Sequence, residues 1–196
     1  PVLAHRRMML PVFGGISGSN RIRSSISVPS SDTDKSIRHD APDVRLASTF
    51  CGLGFSSPIV LLSGCVGFGE EYTRVAGFSN RDAGAVVLKG TTLHARPGNE
   101  PHRIAETPMG MLNAIGLQNP GVDAVVNNIL PGLDFSETRF IANACGSTLE
   151  EYIEVCRRFD DSAIDAIEIN ISCPNIKEGG VAFGNSPDVS ARVVAA

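Results

Sequence analysis

Side chains able to bind a planar ligand or move a proton stand at the ends of several apolar stretches of this chain. Cys173 closes "EINISCPN", in which Glu168 to Ser172 alternate polar and apolar side chains as in a half-buried strand. Lys89 ends the apolar run "AVVLK". Four amides near such ends could donate and accept hydrogen bonds with a heterocycle, namely Asn113, Asn143, Asn170 and Asn175. These residue types indicate a site for acid-base chemistry on a planar substrate.

Each of these residues also has a structural interpretation. Cys173 precedes the Gly-rich segment "IKEGGVAFG", which suits a base or nucleophile beneath a moving loop, but a free cysteine is also a common small core residue. Lys89 must face something anionic, either a ligand or cofactor edge or a carboxylate at a barrel mouth. A single asparagine is more often a turn or cap residue, whereas four near strand ends favour binding.

The elements that position these residues alternate between strands and amphipathic segments. Four strands are predicted, at residues 58–64, 85–90, 139–146 and 166–172. A helix is predicted over 147–159, where Ser147 and Glu150 have capping-box spacing, and a helix-like segment over 70–84. Polar residues fall at the carboxyl ends of the strands, where barrel enzymes build their sites. A doubly wound sheet would need a GxGxxG turn, which "SGCVGFGEE" imitates loosely. The pattern favours an α/β fold of the (β/α)8 TIM barrel type.

The length of the chain is enough for only part of such a barrel. A complete barrel takes roughly 250 residues, so residues 44–196 are expected to form about its first half, with a final helix beginning at Ser186-Pro187. Residues 1–43, rich in Ser, Pro and Arg, are expected to be a disordered or non-native leader. A long Pro- and Gly-rich insertion, Thr91 to Gly121, is expected to carry function.

Composition excludes several classes of function. No run of 18 apolar residues is present, which argues against a membrane-spanning helix, and the five cysteines and four histidines lack metal-site spacing, so no metal is predicted. The net charge is -4 and residues 44–196 are acidic without a basic face, which argues against nucleic-acid binding. A cytoplasmic protein with reduced thiols is predicted.

Two long motifs resemble one enzyme family. "LKGTTLHARPGNEPHRIAETPMGMLNAIGLQNPGV" and "NISCPNIKEGGVAFG" are similar to the dihydroorotate dehydrogenases, specifically class 1B. The resemblance implies oxidation of (S)-dihydroorotate to orotate in pyrimidine biosynthesis, with FMN as cofactor and Cys173 as the catalytic base. It implies substrate binding by Lys89, Asn113, Ala114, Ile115, Gly116, Leu117, Asn170 and Asn175, and FMN binding by Ser63, Lys89, Gly90, Asn143 and Asn170.

The same resemblance implies partners. Class 1B enzymes pass electrons to NAD⁺ through a subunit that carries FAD and a [2Fe-2S] cluster, on a homodimeric core of a heterotetramer. Because the family's FMN phosphate loops lie beyond Ala196, the 196 residues alone are predicted to be inactive. Two alternatives stay open: a barrel like that of dihydropyrimidine dehydrogenase, which also uses a cysteine to reduce a pyrimidine, and a non-catalytic gene fragment.

Overall fold

The structure is a computed structural model, which describes residues 9–11, 45–172 and 181–196. Its strands, in chain order, are β1 (Met9–Pro11), β2 (Ser48–Phe50), β3 (Leu53–Phe55), β4 (Val60–Leu61), β5 (Ala85–Val87), β6 (Ile104–Thr107), β7 (Gly110–Asn113), β8 (Arg139–Ala144) and β9 (Ala166–Ile169). Its α-helices are α1 (Val122–Ala124), α2 (Leu149–Asp160), α3 (Val181–Gly184) and α4 (Pro187–Ala195). Within these residues, no helix is long and apolar enough to cross a membrane.

The main sheet is parallel, and from β4 to β9 its strand order follows the chain. From one edge the order is β4, β5, β8, β9 and then β1, and every neighbouring pair is parallel. A doubly wound sheet reverses its strand order at a switch point, whereas a barrel adds each strand beside the previous one. The four strands from β4 to β9 therefore have the arrangement predicted for part of a barrel.

Strand β1 comes from the segment predicted to be a leader. Met9 is paired with Ile167, and Pro11 with Ile169. The division of the chain at residue 43 stays a prediction.

Side chains of the sheet alternate between an interior layer and an outer layer. Ala85, Val87, Ile141 and Ala166 pack with Phe55 of β3 in the interior layer. The intervening residues of the same strands face the helices, where a larger apolar layer includes Val86, Leu88, Phe140, Ala142, Ile167 and, from α2, Val155 and Phe159. Alternation consequently directs Asn143 and Glu168, two residues beyond Ile141 and Ala166, into the interior.

Two local predictions about the helices are wrong. Residues 70–84 form two short 3-10 turns, Tyr72–Arg74 and Asn80–Asp82, and not one helix. Gly77 between the turns has φ 85°, which is not a helical conformation. The Glu71 carboxylate also turns back and accepts hydrogen bonds from the Phe68 N–H. Helix α2 has Thr148 rather than Ser147 as its N-cap, with the Thr148 hydroxyl accepting from the Glu151 N–H. The predicted start of α4 at Ser186-Pro187 is confirmed.

Candidate active site at the carboxyl ends of the strands

A chain of hydrogen-bonded polar groups joins the ends of β8 and β9 inside the sheet. Asn143 of β8 lies directly opposite Glu168 of β9, and its Nδ2 donates to the Glu168 carboxylate. The Asn143 Oδ1 accepts from Asn170 Nδ2 at 3.1 Å and from the Cys145 thiol at 3.3 Å. Asn143 is 2% exposed, so these bonds satisfy an amide that has little contact with water.

The chain of hydrogen bonds continues to the segment that precedes Cys173. Asn170 Oδ1 accepts from the Ser172 main-chain N–H at 3.2 Å and from its hydroxyl at 3.4 Å. The phenol of Tyr152, buried on α2, donates to the main-chain carbonyl of Asn170 at 2.6 Å. Both the side chain and the backbone of Asn170 are therefore fixed.

Glu168 supplies the carboxyl group of this hydrogen-bonded network. Burial raises the pKa of its carboxyl above 4.5, and the hydrogen bond from Asn143 opposes that rise by favouring the ionised form. Ionised, the carboxylate can only accept hydrogen bonds. The site thus combines neutral amides with one carboxylate set beneath them.

Gly90 leaves room for this arrangement. A Cβ at Gly90 would lie 2.9 Å from the Asn143 Oδ1 and 3.0 Å from the Cys145 sulfur, closer than side chains normally pack. Lys89, before it, follows the outward-facing Leu88, and its own side chain is partly buried. No carboxylate among the described residues forms an ion pair with Lys89, so the barrel-mouth salt bridge is not found there.

The loop "NAIGL", residues 113–117, reaches the same place from the insertion. Leu117 is buried against Cys145, and it would also lie 3.3 Å from a Cβ at Gly90. It holds a left-handed backbone with φ 57°, which is uncommon for a residue with a branched side chain. The loop therefore ends on the side chains that surround Asn143.

Neighbouring residues of the insertion hold this loop from the other side. The Asn99 N–H donates to the Ile115 carbonyl at 3.0 Å, and its side-chain amide donates to the Ala114 carbonyl at 2.9 Å. The Arg103 guanidinium donates to the carbonyls of Asn99 and, at 2.9 Å, of Pro97. These bonds hold the loop against the rest of the insertion.

The structure brings some of the predicted site residues together and separates others. Those gathered at the ends of β5 and β8 and just beyond β9 are Lys89, Gly90, Asn143, Asn170 and Leu117. Ser63 is partly exposed after β4, and Asn113 is exposed at the end of β7, so neither joins the described network. The base Cys173 and Asn175 lie outside the described residues.

Sequence reasoning missed Glu168 and Tyr152. Glu168 was counted only for its part in the alternation of "EINIS", although a carboxylate two residues before Asn170 must share its face of the strand. Tyr152 lies within the helix predicted over 147–159, and nothing in the sequence distinguishes its hydroxyl as a hydrogen-bond donor to the sheet.

The chain is similar to known proteins in sequence. The family model described as dihydroorotate dehydrogenase matches residues 45–196. The catalytic subunit of dihydroorotate dehydrogenase B (NAD(+)) from Anoxybacillus flavithermus is 52% identical over 153 residues, which cover 78% of this chain and 48% of that protein. The subunit of the same name from Geobacillus kaustophilus is 51% identical over 150 residues, covering 76% of this chain and 47% of the relative.

A solved structure supports the fold. The crystal structure of DHODH from Eimeria tenella in complex with ferulenol superposes with a TM-score of 0.59 at 19% identity, covering 80% of this chain and 45% of that one. It agrees with the arrangement of β4 to β9, and the prediction of a partial TIM barrel is confirmed. The chain spans about half the length of the curated relatives it matches. By its match over residues 45–196 and its identity to these relatives, the chain belongs to the dihydroorotate dehydrogenase family.

Proposed function

We propose that the protein containing this chain oxidises (S)-dihydroorotate to orotate in pyrimidine biosynthesis. In this reaction C5 of the substrate loses a proton and C6 loses a hydride, which leaves a carbon-carbon double bond in the ring. The observation that carries the proposal is the amide network of Asn143 and Asn170 joined to the "NAIGL" loop, in a chain of this family. FMN, when bound, accepts the hydride.

We assign the roles of individual residues from the family resemblance and from what each side chain can do. Cys173, as a thiolate, takes the proton from C5, and the residues before it are placed by the hydrogen bonds of Asn170. Lys89, Asn170, Asn175 and the loop from Asn113 to Leu117 hold the substrate ring. A substrate ring that these residues hold in one position needs little further ordering to react, which is how such binding lowers the barrier.

The described residues fit a flavin. Gly90 bears no side chain where one would collide with Asn143, so the Asn143 amide can keep the orientation that the network gives it. Asn143 and Asn170 each keep one amide N–H that the described network does not use. Ser63, Lys89, Gly90, Asn143 and Asn170 are therefore proposed to hold FMN.

The relatives suggest where the electrons go. They are named catalytic subunits of an NAD(+)-type enzyme, a name given to one subunit of a larger assembly. We accordingly propose NAD⁺ as the final acceptor, a separate subunit with FAD and a [2Fe-2S] cluster as the carrier, a homodimeric core, and a cytoplasmic location.

The test uses the full-length protein that contains this chain. Under anaerobic conditions, dihydroorotate should bleach its flavin absorbance, and uracil or dihydrouracil should not. Cys173→Ala should keep bound FMN but slow the bleaching about 10² to 10⁴-fold, the usual effect of losing a general base. Cys51→Ala is the matched control and should bleach at the normal rate. Unchanged bleaching in Cys173→Ala would refute the assignment of the base.

A further inference from the structure

Glu168 has no role in the proposed chemistry, yet it is held inside the sheet at the level of the site. Its side chain points into the barrel interior from the centre of β9 and contacts Asn143 across the strand pair. Burial raises the pKa of its carboxyl, so an apolar side chain there would avoid a penalty that the carboxylate incurs. A function for the Glu168 carboxylate oxygen that accepts from Asn143 would explain why this penalty of burial is tolerated.

The hydrogen-bond chain has a direction that its two ends determine. At one end the Ser172 main-chain N–H can only donate, so Asn170 must turn Oδ1 toward it and Nδ2 toward Asn143. Asn143 must then present Oδ1 to Asn170 and Nδ2 to the next group. That next group has to accept a hydrogen bond, and Glu168 does so.

This direction decides what the amides can offer a ligand. The Asn143 Oδ1 already accepts from Asn170 and Cys145, and the Asn170 Oδ1 already accepts twice from Ser172. An amide oxygen has two lone pairs, so both oxygens are fully used. Each amide nitrogen retains one N–H, and the two amides therefore act toward a ligand as donors.

We propose that Glu168 is a positioning residue, whose carboxylate oxygen fixes the orientation of the Asn143 and Asn170 amides so that both present N–H groups to acceptor atoms of the bound pyrimidine or flavin. The inference rests on the proposed function for the identity of the ligand.

The test separates the position of the acceptor from its charge. Glu168→Gln keeps an oxygen at the same reach and removes the charge, whereas Glu168→Asp keeps the charge and withdraws the oxygen by one methylene. In the full-length, FMN-loaded protein, orotate binding measured by calorimetry should weaken about tenfold in Glu168→Asp, the effect of one lost hydrogen bond, and less than about threefold in Glu168→Gln. Glu154→Asp, which shortens a surface carboxylate bonded to Arg158, is the matched control and should bind normally.

A second measurement does not depend on orotate. Side-chain amide protons of Asn143 and Asn170, observed by NMR, should exchange with solvent faster in Glu168→Asp than in the wild type and in Glu168→Gln. The inference is overturned if Glu168→Asp matches the wild type in this exchange, or if Glu168→Gln is as impaired as Glu168→Asp. A wild-type protein that binds no orotate would refute the proposed function, while the exchange rates would still decide the role of Glu168.

Discussion

Replacing Gly90 by alanine tests the geometry of the site most directly. The backbone at Gly90 does not have a positive φ, so alanine causes no main-chain strain there and acts only through its added methyl group. That methyl group would start 2.9 Å from the Asn143 Oδ1 and 3.0 Å from the Cys145 sulfur. Ordinary contacts are about 3.5 Å or longer, so the Asn143 amide must move by roughly half an ångström.

A movement of this size is enough to break the network. The Asn170–Asn143 bond is 3.1 Å long, and lengthening it by roughly half an ångström takes it beyond the usual hydrogen-bond range. Overpacking of this kind costs about 1–3 kcal/mol, and if one ligand hydrogen bond is lost as well, the affinity for FMN should fall about tenfold or more.

The assay is FMN binding to full-length protein, followed by flavin fluorescence, together with the thermal unfolding midpoint. Gly132→Ala is the matched control, because a Cβ at Gly132 would meet no atom within 4 Å and its φ is not positive either. The control should bind FMN normally. If Gly90→Ala also bound FMN with wild-type affinity and melted at the wild-type temperature, Asn143 would not be confined as described.

Three further predictions concern reactivity, stability and pH. Alkylation at pH 8, monitored by mass spectrometry, should modify the exposed Cys65 at least about tenfold faster than the buried Cys156. The reason is that burial raises the pKa of Cys156 to about 11, which leaves roughly 0.1% of this thiol as thiolate at pH 8. Equal alkylation rates would contradict this prediction. Tyr152→Phe should lower the free energy of unfolding, measured by urea titration, by about 1 kcal/mol, because it removes the 2.6 Å hydrogen bond to the Asn170 main-chain carbonyl. Tyr72→Phe, at an exposed position, is the control and should have no effect. Equal effects of the two changes would show that the hydrogen bond contributes nothing. Because the pKa of Glu168 is raised in the folded protein, the native state still holds the Glu168 proton at pH values where the unfolded state has lost it. The stability of the wild type relative to Glu168→Gln should therefore fall as the pH rises from about 4.5 through that raised pKa. A stability difference that stays constant with pH would argue against burial as the cause.

The barrel strands were predictable because two signals coincide in them. Short apolar runs such as "AVVLK" and "RFIANA" mark buried parallel strands, and the polar residue at the end of each marks the face that carries the site. The structure has β5 and β8 within those runs and brings Gly90 and Asn143 into contact distance. Alternation along β9 was equally informative about Asn170.

The remaining features depend on contacts that local patterns do not encode. Whether residues 70–84 continue as a helix was decided by Gly77 and by the Glu71 carboxylate turning back to Phe68. The antiparallel hairpin β6–β7 formed within a stretch whose Pro and Gly content predicted only a loop. Glu168 could have been identified by asking which group accepts from Asn143, a question that arises only when β8 and β9 are paired.

The hydrogen bond at the base of the β6–β7 hairpin separates an exposed part of the chain from a constrained one. The Ala114 N–H donates to the Arg103 carbonyl at 2.8 Å, and this bond joins the two residues that flank the hairpin. Every residue from Ile104 to Asn113 is exposed, while the loop that follows is tied to Asn99 and packed on Cys145. The tip of the hairpin can therefore gain, lose or exchange residues, in evolution or by design, with the binding loop keeping its place.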